Sequence, residues 1–115
     1  MEKIAKRTPW GKTQTHEVLS HGIVSYTTAG HGGIGLDKSH QSQLMNYNGI
    51  KNFLGSQIWW EEDCDWAIPY YVFRDEIKSY AEDENSFERM LAAAINTINR
   101  YHKDFAKEMG LNNLP

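Results

Sequence analysis

The sequence predicts an α+β fold, in which a small N-terminal β-hairpin or antiparallel sheet packs against helices that include a long C-terminal helix. Two observations predict it. Residues 13–28 are rich in Thr, Val, Ile and Tyr, whereas residues 86–109 carry apolar side chains at helical spacing. The chain has 115 residues, 40% of them hydrophobic, and no linker-like stretch, so we expect residues 1–115 to form a single domain.

The first elements are predicted to be two strands joined by a tight turn. Residues 13–20 and 22–28 are enriched in β-branched and aromatic side chains, and Ser20-His21-Gly22 separates them. Ahead of the strands, Thr8-Pro9-Trp10-Gly11 has the composition of a turn that holds Trp10 against the domain. A β-hairpin with an irregular lead-in is therefore expected.

A glycine-rich segment follows, with four glycines in the six positions 30–35. Because glycine readily adopts positive φ, we expect a shaped loop here and not a helix or an ordinary strand. Such a loop can direct several backbone N–H groups at an anion, or it can be a purely structural turn. His31, between small neighbours, could exchange protons with a ligand, or it could hydrogen-bond a carbonyl and lock the turn.

Two helical pieces are predicted next. Asp37 can cap a helix over residues 38–47, because an aspartate side chain accepts hydrogen bonds from the first free N–H groups of a helix. A second short piece is expected from residue 50 to residue 54, where Gly55 would end it.

Residues 58–73 allow two interpretations. Several side chains fall on one helical stripe, and these are Trp60, Cys64, Ala67, Ile68 and Tyr71. The acids at 61–63 suit the N-terminus of a helix, so a helix is favoured. Pro69 opposes a helix because it lacks an N–H, and the aromatic run after it is also typical of a buried strand.

The C-terminal helix has the clearest pattern. Asn85 followed by Glu88 forms a capping-box pattern, and apolar residues then recur at helical spacing as far as Gly110. One amphipathic helix over residues 86–109 is therefore expected to pack on the sheet or on the other helices.

Charge is unevenly distributed along the chain. The net charge is only −3, but residues 58–84 hold nine acidic and two basic side chains. Such a block repels phosphate backbones and attracts a basic partner or a cation, so we expect no direct nucleic-acid binding; a solvated face is the alternative. No stretch has the length of a membrane helix or the pattern of a secretory signal, so we expect a location in the host cell cytosol.

Metal and disulfide sites are not expected from the sequence. Cys64 is a single cysteine, which can form neither an intramolecular disulfide nor a Cys-based zinc site. His16, His21 and His40 lack the helical spacing of a metal-binding pair. The primary interpretation therefore includes no metal and no cofactor.

Three motifs carry a family resemblance. Pro9-Trp10-Gly11, His31-Gly32-Gly33 and the Trp-x-Glu-Glu-Asp box at 59–63 resemble an uncharacterised domain family common in phage and plasmid proteins. The resemblance spans most of residues 8–73. It implies a mobile-element setting and supplies no catalytic residues.

A binding function is predicted from these features. We expect a phage or mobile-element accessory protein that contacts a basic or nucleic-acid-handling host protein and inhibits a host defence or regulatory complex. The candidate binding residues are Trp10, His31, Gly32, Gly33, Trp59, Trp60, Glu61, Glu62, Asp63 and Asp65. This surface requires that the glycine-rich segment and the acidic box meet in space.

Two other functions remain open at the sequence level. One is a hydrolase of a nucleotide or phosphoester, with His31 as acid or base and with Glu61, Glu62 and Asp65 holding magnesium or manganese. The other is a nucleotide-sequestering binder that stacks a base on the aromatic cluster. Both need a cleft that joins residues 30–33 to residues 61–65.

Overall fold

A computed structural model describes residues 3–51 and 59–111. Six strands lie at Arg7–Thr8 (β1), Gly11–Lys12 (β2), Thr15–Ser20 (β3), Ile23–Thr27 (β4), Gly32–Leu36 (β5) and Trp59–Glu61 (β6). Six helices lie at Lys38–Leu44 (α1), Asn48–Lys51 (α2), Ala67–Val72 (α3), Arg74–Tyr80 (α4), Glu84–Tyr101 (α5) and Lys103–Glu108 (α6). The predicted α+β class is confirmed. No helix in this part of the chain is both long and apolar enough to cross a membrane.

The four longer strands form one antiparallel sheet in the order β3-β4-β5-β6, and β1 pairs with β2 separately. The predicted hairpin is confirmed as β3 and β4, with a register shift between Val18 and Ser20. Gly22 adopts positive φ in the turn between them. Because β5 pairs with β4 on one side and β6 on the other, it is an interior strand.

The prediction of a shaped loop over the glycine-rich segment is wrong between Gly32 and Leu36. All five residues of β5 are buried, and none of its glycines has positive φ. Glycine is used here for close approach: a Cβ on Gly33 would lie 2.5 Å from Cη2 of Trp10, and a Cβ on Gly35 would lie 2.8 Å from Cζ3 of Trp59. An anion cradle is likewise not formed by β5, since its backbone pairs with strands on both sides.

The helix favoured over residues 58–73 is also wrong over residues 59–66, and residue 58 lies outside the described residues. Trp60 lies in β6 and residues 62–66 form a turn, so the acids do not begin a helix. The second half is helical, as α3. Pro69 is the third residue of α3, where its missing N–H has no acceptor within the helix, so the helix tolerates it.

The predicted C-terminal helix exists but differs at three points. It begins at Glu84, and its N-cap is Asp83, whose carboxylate accepts from two backbone N–H groups. Asn85 is therefore inside the helix and is not the cap. The single helix predicted to residue 109 is interrupted at His102, which separates α5 from α6.

The predicted cap of α1 is confirmed, since the side chain of Asp37 accepts from the backbone N–H of His40. The helix ends at Leu44, three residues before the predicted end. The second predicted piece, residues 50–54, falls only partly on α2, and its remainder lies outside the described residues.

The two faces of the sheet are covered differently. On one face, buried side chains from the strands, among them Ile23, Ile34 and Trp60, join a core completed by α1 to α6. On the other face, Tyr26 and Trp59 contact each other edge to face, and Trp10 from the lead-in contacts Trp59 in the same way. The tryptophan held by the Pro-Trp-Gly turn therefore covers the sheet.

Candidate functional site

The glycine-rich segment and the acidic box meet through the main chain. Gly33 pairs with Glu61 in the β5-β6 ladder, and the N–H of Glu62 donates to the carbonyl of Gly32 over 2.8 Å. A Cβ on Gly32 would approach the Glu62 carboxylate at 3.2 Å. The spatial relation that the predicted surface required is thus present at the level of the backbone.

The side chains of the candidate binding set are divided among different environments. Trp60 has 0% exposure and belongs to the core, and Gly32 and Gly33 are buried in β5. Trp10 and Trp59 are half-buried on the face of the sheet that points away from the core. The exposed members are His31, Glu62 and Asp63, while Glu61 and Asp65 are half-buried. A binding role for the full set stays a prediction.

His31 lies in the tight turn between β4 and β5. Its backbone N–H donates to Oγ1 of Thr28, and its carbonyl accepts from both the N–H and the hydroxyl of Thr28. The residue therefore closes the turn through its main chain, while its side chain is exposed. The hydrolase interpretation needs the His31 imidazole to act with the carboxylates, and it remains a prediction.

Residues 61–65 form a cluster with a different histidine, His102. The Cys64 thiol donates to Oε1 of Glu61 over 3.4 Å and to Oδ1 of Asp65 over 3.6 Å. Nε2 of His102 lies 3.5 Å from Oδ1 of Asp65 and 3.2 Å from the carbonyl oxygen of Cys64. The interruption between α5 and α6 at this histidine accompanies the contact with the turn.

Burial and the neighbouring carboxylates together raise the pKa of the Cys64 thiol. Burial raises the pKa of Cys64 to about 12, and the hydrogen bond to Glu61 and the charges of Asp65 and Glu61 act in the same direction. Burial also raises the pKa of Glu61, but hydrogen bonds from the backbone N–H groups of Cys64 and Asp63 outweigh it and hold that pKa below its usual value. The thiol is therefore protonated at neutral pH and is not an activated nucleophile.

A groove of ≈ 970 Å³ opens between the sheet and the helices. One wall comes from β3, β4 and β5, and the other comes from α3, α4 and α5. Three aromatic rings contact one another along it: Trp66 meets Tyr70 edge to face with centroids 5.6 Å apart, and Tyr70 stacks on Phe87 at 6.0 Å. This volume is near the upper end of the range for ligand pockets in proteins.

The rim of the groove is acidic and partly apolar. Its charged side chains are four carboxylates and one guanidinium, from Glu17, Glu62, Glu82, Asp83 and Arg89. Tyr80 and Met90 also line it with 46% and 45% exposure, which makes them two of the three exposed large hydrophobic residues in the described chain. Burial, with the charge of Glu17, raises the pKa of Tyr70 to about 12, so its hydroxyl stays a neutral donor.

Two residues of the candidate set predicted from the sequence, Gly33 and Glu62, line the groove, and the other lining residues were not predicted. Glu17 lies in β3 and Met90 lies in α5, and nothing in their separation along the chain indicates that they share a groove. The acidic block did carry a signal, because Glu82 and Asp83 belong to it. His102 is 38 residues from Cys64, so its contact with the acidic turn was not visible either.

Comparisons with known proteins identify the family of the chain but not its activity. A family model described as "Domain of unknown function (DUF7007)" matches residues 3–112. No curated protein and no solved structure matches the chain.

Proposed function

The chain belongs to the DUF7007 family, whose function is unknown, and we propose that it is a binding protein whose groove takes up a basic segment of a partner protein. The observation that carries this proposal is an open groove with aromatic rings along one wall and carboxylates on its rim. The carboxylates favour a cation because they pair with it. The half-buried Trp66 offers an aromatic surface to a cation, whereas Tyr70 and Phe87 are only 5% and 4% exposed and belong to the core.

The chemistry of the rim favours a polypeptide over a small amine. Tyr80 and Met90 leave nearly half of their surface in water at the mouth of the groove. Tyrosine and methionine are enriched at protein interfaces, where their apolar surface is covered by the partner. Tyr80 is also held in position by His21, whose ring lies 5.8 Å away edge to face. We therefore expect a segment that combines Lys or Arg with apolar side chains.

The mobile-element setting belongs to the same proposal. We propose that the partner is a basic, nucleic-acid-handling host protein and that occupation of the groove inhibits it, as in an accessory protein of a phage or plasmid. The acidic rim supports this, since acidic charge speeds association with basic partners and repels phosphate. The family resemblance of the Pro-Trp-Gly, His-Gly-Gly and Trp-x-Glu-Glu-Asp motifs supports the setting.

Selection from a random peptide library tests the proposal. Peptides enriched on the purified protein are expected to carry Lys or Arg beside apolar residues, and their affinity is expected to fall with rising salt. Glu17→Lys should weaken a selected peptide roughly 2- to 5-fold, and Arg89→Glu should strengthen it by a similar factor, since each change acts on a partly screened ion pair.

A matched control lies on the same helix as Arg89. Glu88 is exposed on α5 but does not line the groove, so Glu88→Lys should leave peptide affinity unchanged. Enrichment of acidic peptides, or equal effects of Glu88→Lys and Glu17→Lys, would contradict the proposal. Tight binding of a simple diamine with no peptide enrichment would show that the groove binds a small cation and would contradict a protein partner.

A further inference from the structure

A second set of polar side chains is concentrated where the acidic turn meets the junction of α5 and α6. Cys64, Asp65 and His102 each offer one donor atom, and these three atoms all lie within 4.8 Å of one another. All three residues are half-buried. The set combines a thiol, a carboxylate and an imidazole, which are the three side-chain ligand types that zinc accepts.

The spacing of these atoms suits a tetrahedral ion. With zinc bonds of about 2.0–2.3 Å, neighbouring ligand atoms in a tetrahedron lie about 3.4–3.6 Å apart. Here Sγ of Cys64 lies 3.6 Å from Oδ1 of Asp65, and Nε2 of His102 lies 3.5 Å from the same oxygen. Two of the three separations therefore match those of a zinc site.

We propose that Cys64, Asp65 and His102 bind one zinc ion, with the fourth position open to solvent. This proposal is independent of the proposed groove function. It differs from the primary expectation from the sequence, which included no metal, and from the alternative in which Glu61, Glu62 and Asp65 hold magnesium or manganese. Neither of these expectations combined Cys64 with His102. A site with three protein ligands and an open fourth position is a known zinc arrangement.

The charges of the cluster are consistent with a dication. On binding, the Cys64 thiol releases its proton to solvent and coordinates as a thiolate, so it and the Asp65 carboxylate together balance the charge of Zn²⁺. Glu61 is the positioning residue, since its carboxylate accepts from the backbone N–H groups of Asp63 and Cys64 and so fixes the turn. Magnesium, calcium and manganese prefer oxygen ligands, so they fit a thiol and imidazole pair poorly.

The ion would join two parts of the fold. Cys64 and Asp65 belong to the turn after β6, and His102 belongs to the α5-α6 junction. Trp66 and Glu62, in the same turn, line the groove. Zinc should therefore raise the melting temperature, because it binds the folded arrangement and not the unfolded chain.

Cobalt substitution gives the most direct test. Untagged protein, freed of metal with a chelator, is titrated with Co²⁺, and the near-ultraviolet thiolate-to-cobalt charge-transfer absorption is recorded. Because Cys64 is the only cysteine in the chain, that absorption identifies its thiolate as a ligand. The proposal expects the band at one Co²⁺ per chain and its loss when Zn²⁺ is added. A titration without the band overturns the proposal even if no variant folds.

Variants identify the other ligands. Cys64→Ser, Asp65→Asn and His102→Gln should each weaken zinc binding, measured by calorimetry, by more than the roughly 10- to 100-fold that loss of an outer-shell partner costs. Two controls, Asp63→Asn in the same turn and His31→Gln at an exposed turn, should bind zinc as the parent does. If both controls weaken binding as much as the ligand variants, the zinc is adventitious and the proposal fails.

Discussion

The glycine at position 33 offers a sharp test of how the two motifs pack. In β5, a Cβ on Gly33 would lie 2.5 Å from Cη2 of Trp10 and 2.8 Å from Cα of Glu61. Backbone on the neighbouring strand β6 cannot move aside as a side chain can, so Gly33→Ala must separate the strands or displace Trp10. Overpacking of this kind costs about 1–3 kcal/mol of unfolding free energy.

Gly30 is the matched control for this change. It lies three residues earlier, a Cβ there has nothing within 4 Å, and its φ is not positive. Gly30→Ala should therefore stabilise the protein by about 0.4–1 kcal/mol, because alanine restricts the unfolded chain. The two variants should differ by about 1.4–4 kcal/mol when both effects are combined.

Urea unfolding followed by tryptophan fluorescence measures this difference. The midpoint should fall for Gly33→Ala and rise slightly for Gly30→Ala, with similar slopes for both. Equal midpoints would refute the assignment of this segment to a packed interior strand. They would indicate instead the free loop that the glycine content predicts.

Two further predictions concern stability. Burial lowers the pKa of His40, but its hydrogen bonds to Glu76 and Asp37, at 2.9 and 2.7 Å, outweigh this and raise it above the usual value. The resulting stabilisation is complete below about pH 6.5 and is lost as pH rises through the higher pKa of the folded state, so urea midpoints should decline across that window. Glu76→Gln should flatten the decline and the exposed control Asp75→Asn should not; a midpoint that rises with pH contradicts this. Asp83→Ala should lower the thermal midpoint by removing the cap of α5, whereas Asn85→Ala, inside the helix, should not; the opposite ranking would restore Asn85 as the cap.

The parts of the fold that follow from local chemistry were predictable. The β3-β4 hairpin, the Asp37 cap and the long helical pattern after residue 84 each depend on residues close together in the sequence. The start of α5 was misassigned because aspartate and asparagine cap helices equally well, so Asp83 and Asn85 could not be ranked.

The glycine-rich strand was not predictable from local chemistry. Glycine is used both for positive φ and for close approach of another group, and the sequence does not distinguish the two. Only the fold shows that Trp10 and Trp59 lie over Gly33 and Gly35. The aromatic side chains that the sequence assigned to one surface are divided in the same way, with Trp60 in the core and Trp59 on the opposite face.

The candidate groove could not be predicted from the sequence, because its lining residues come from segments that lie far apart in the chain. Its walls come from six elements between β3 and α5, and its acidic rim combines Glu17 with residues from the predicted acidic block. The acidic block therefore indicated that the groove carries negative charge, but it did not indicate where the groove lies. The proposed metal ligands show the same limitation, since His102, at the end of α5, contacts a turn whose Cys64 lies 38 residues away in the sequence.

Mapping of a bound peptide onto the backbone amides would test the central claim most directly. A selected basic peptide, titrated into isotope-labelled protein, should shift the amide signals of Ser25, Tyr70 and Met90, which line both walls of the groove. The indole N–H signals of Trp10 and Trp59, whose side chains lie on the opposite face of the sheet and do not line the groove, should stay in place. Shifts confined to that opposite face, with Ser25, Tyr70 and Met90 unchanged, would contradict the account.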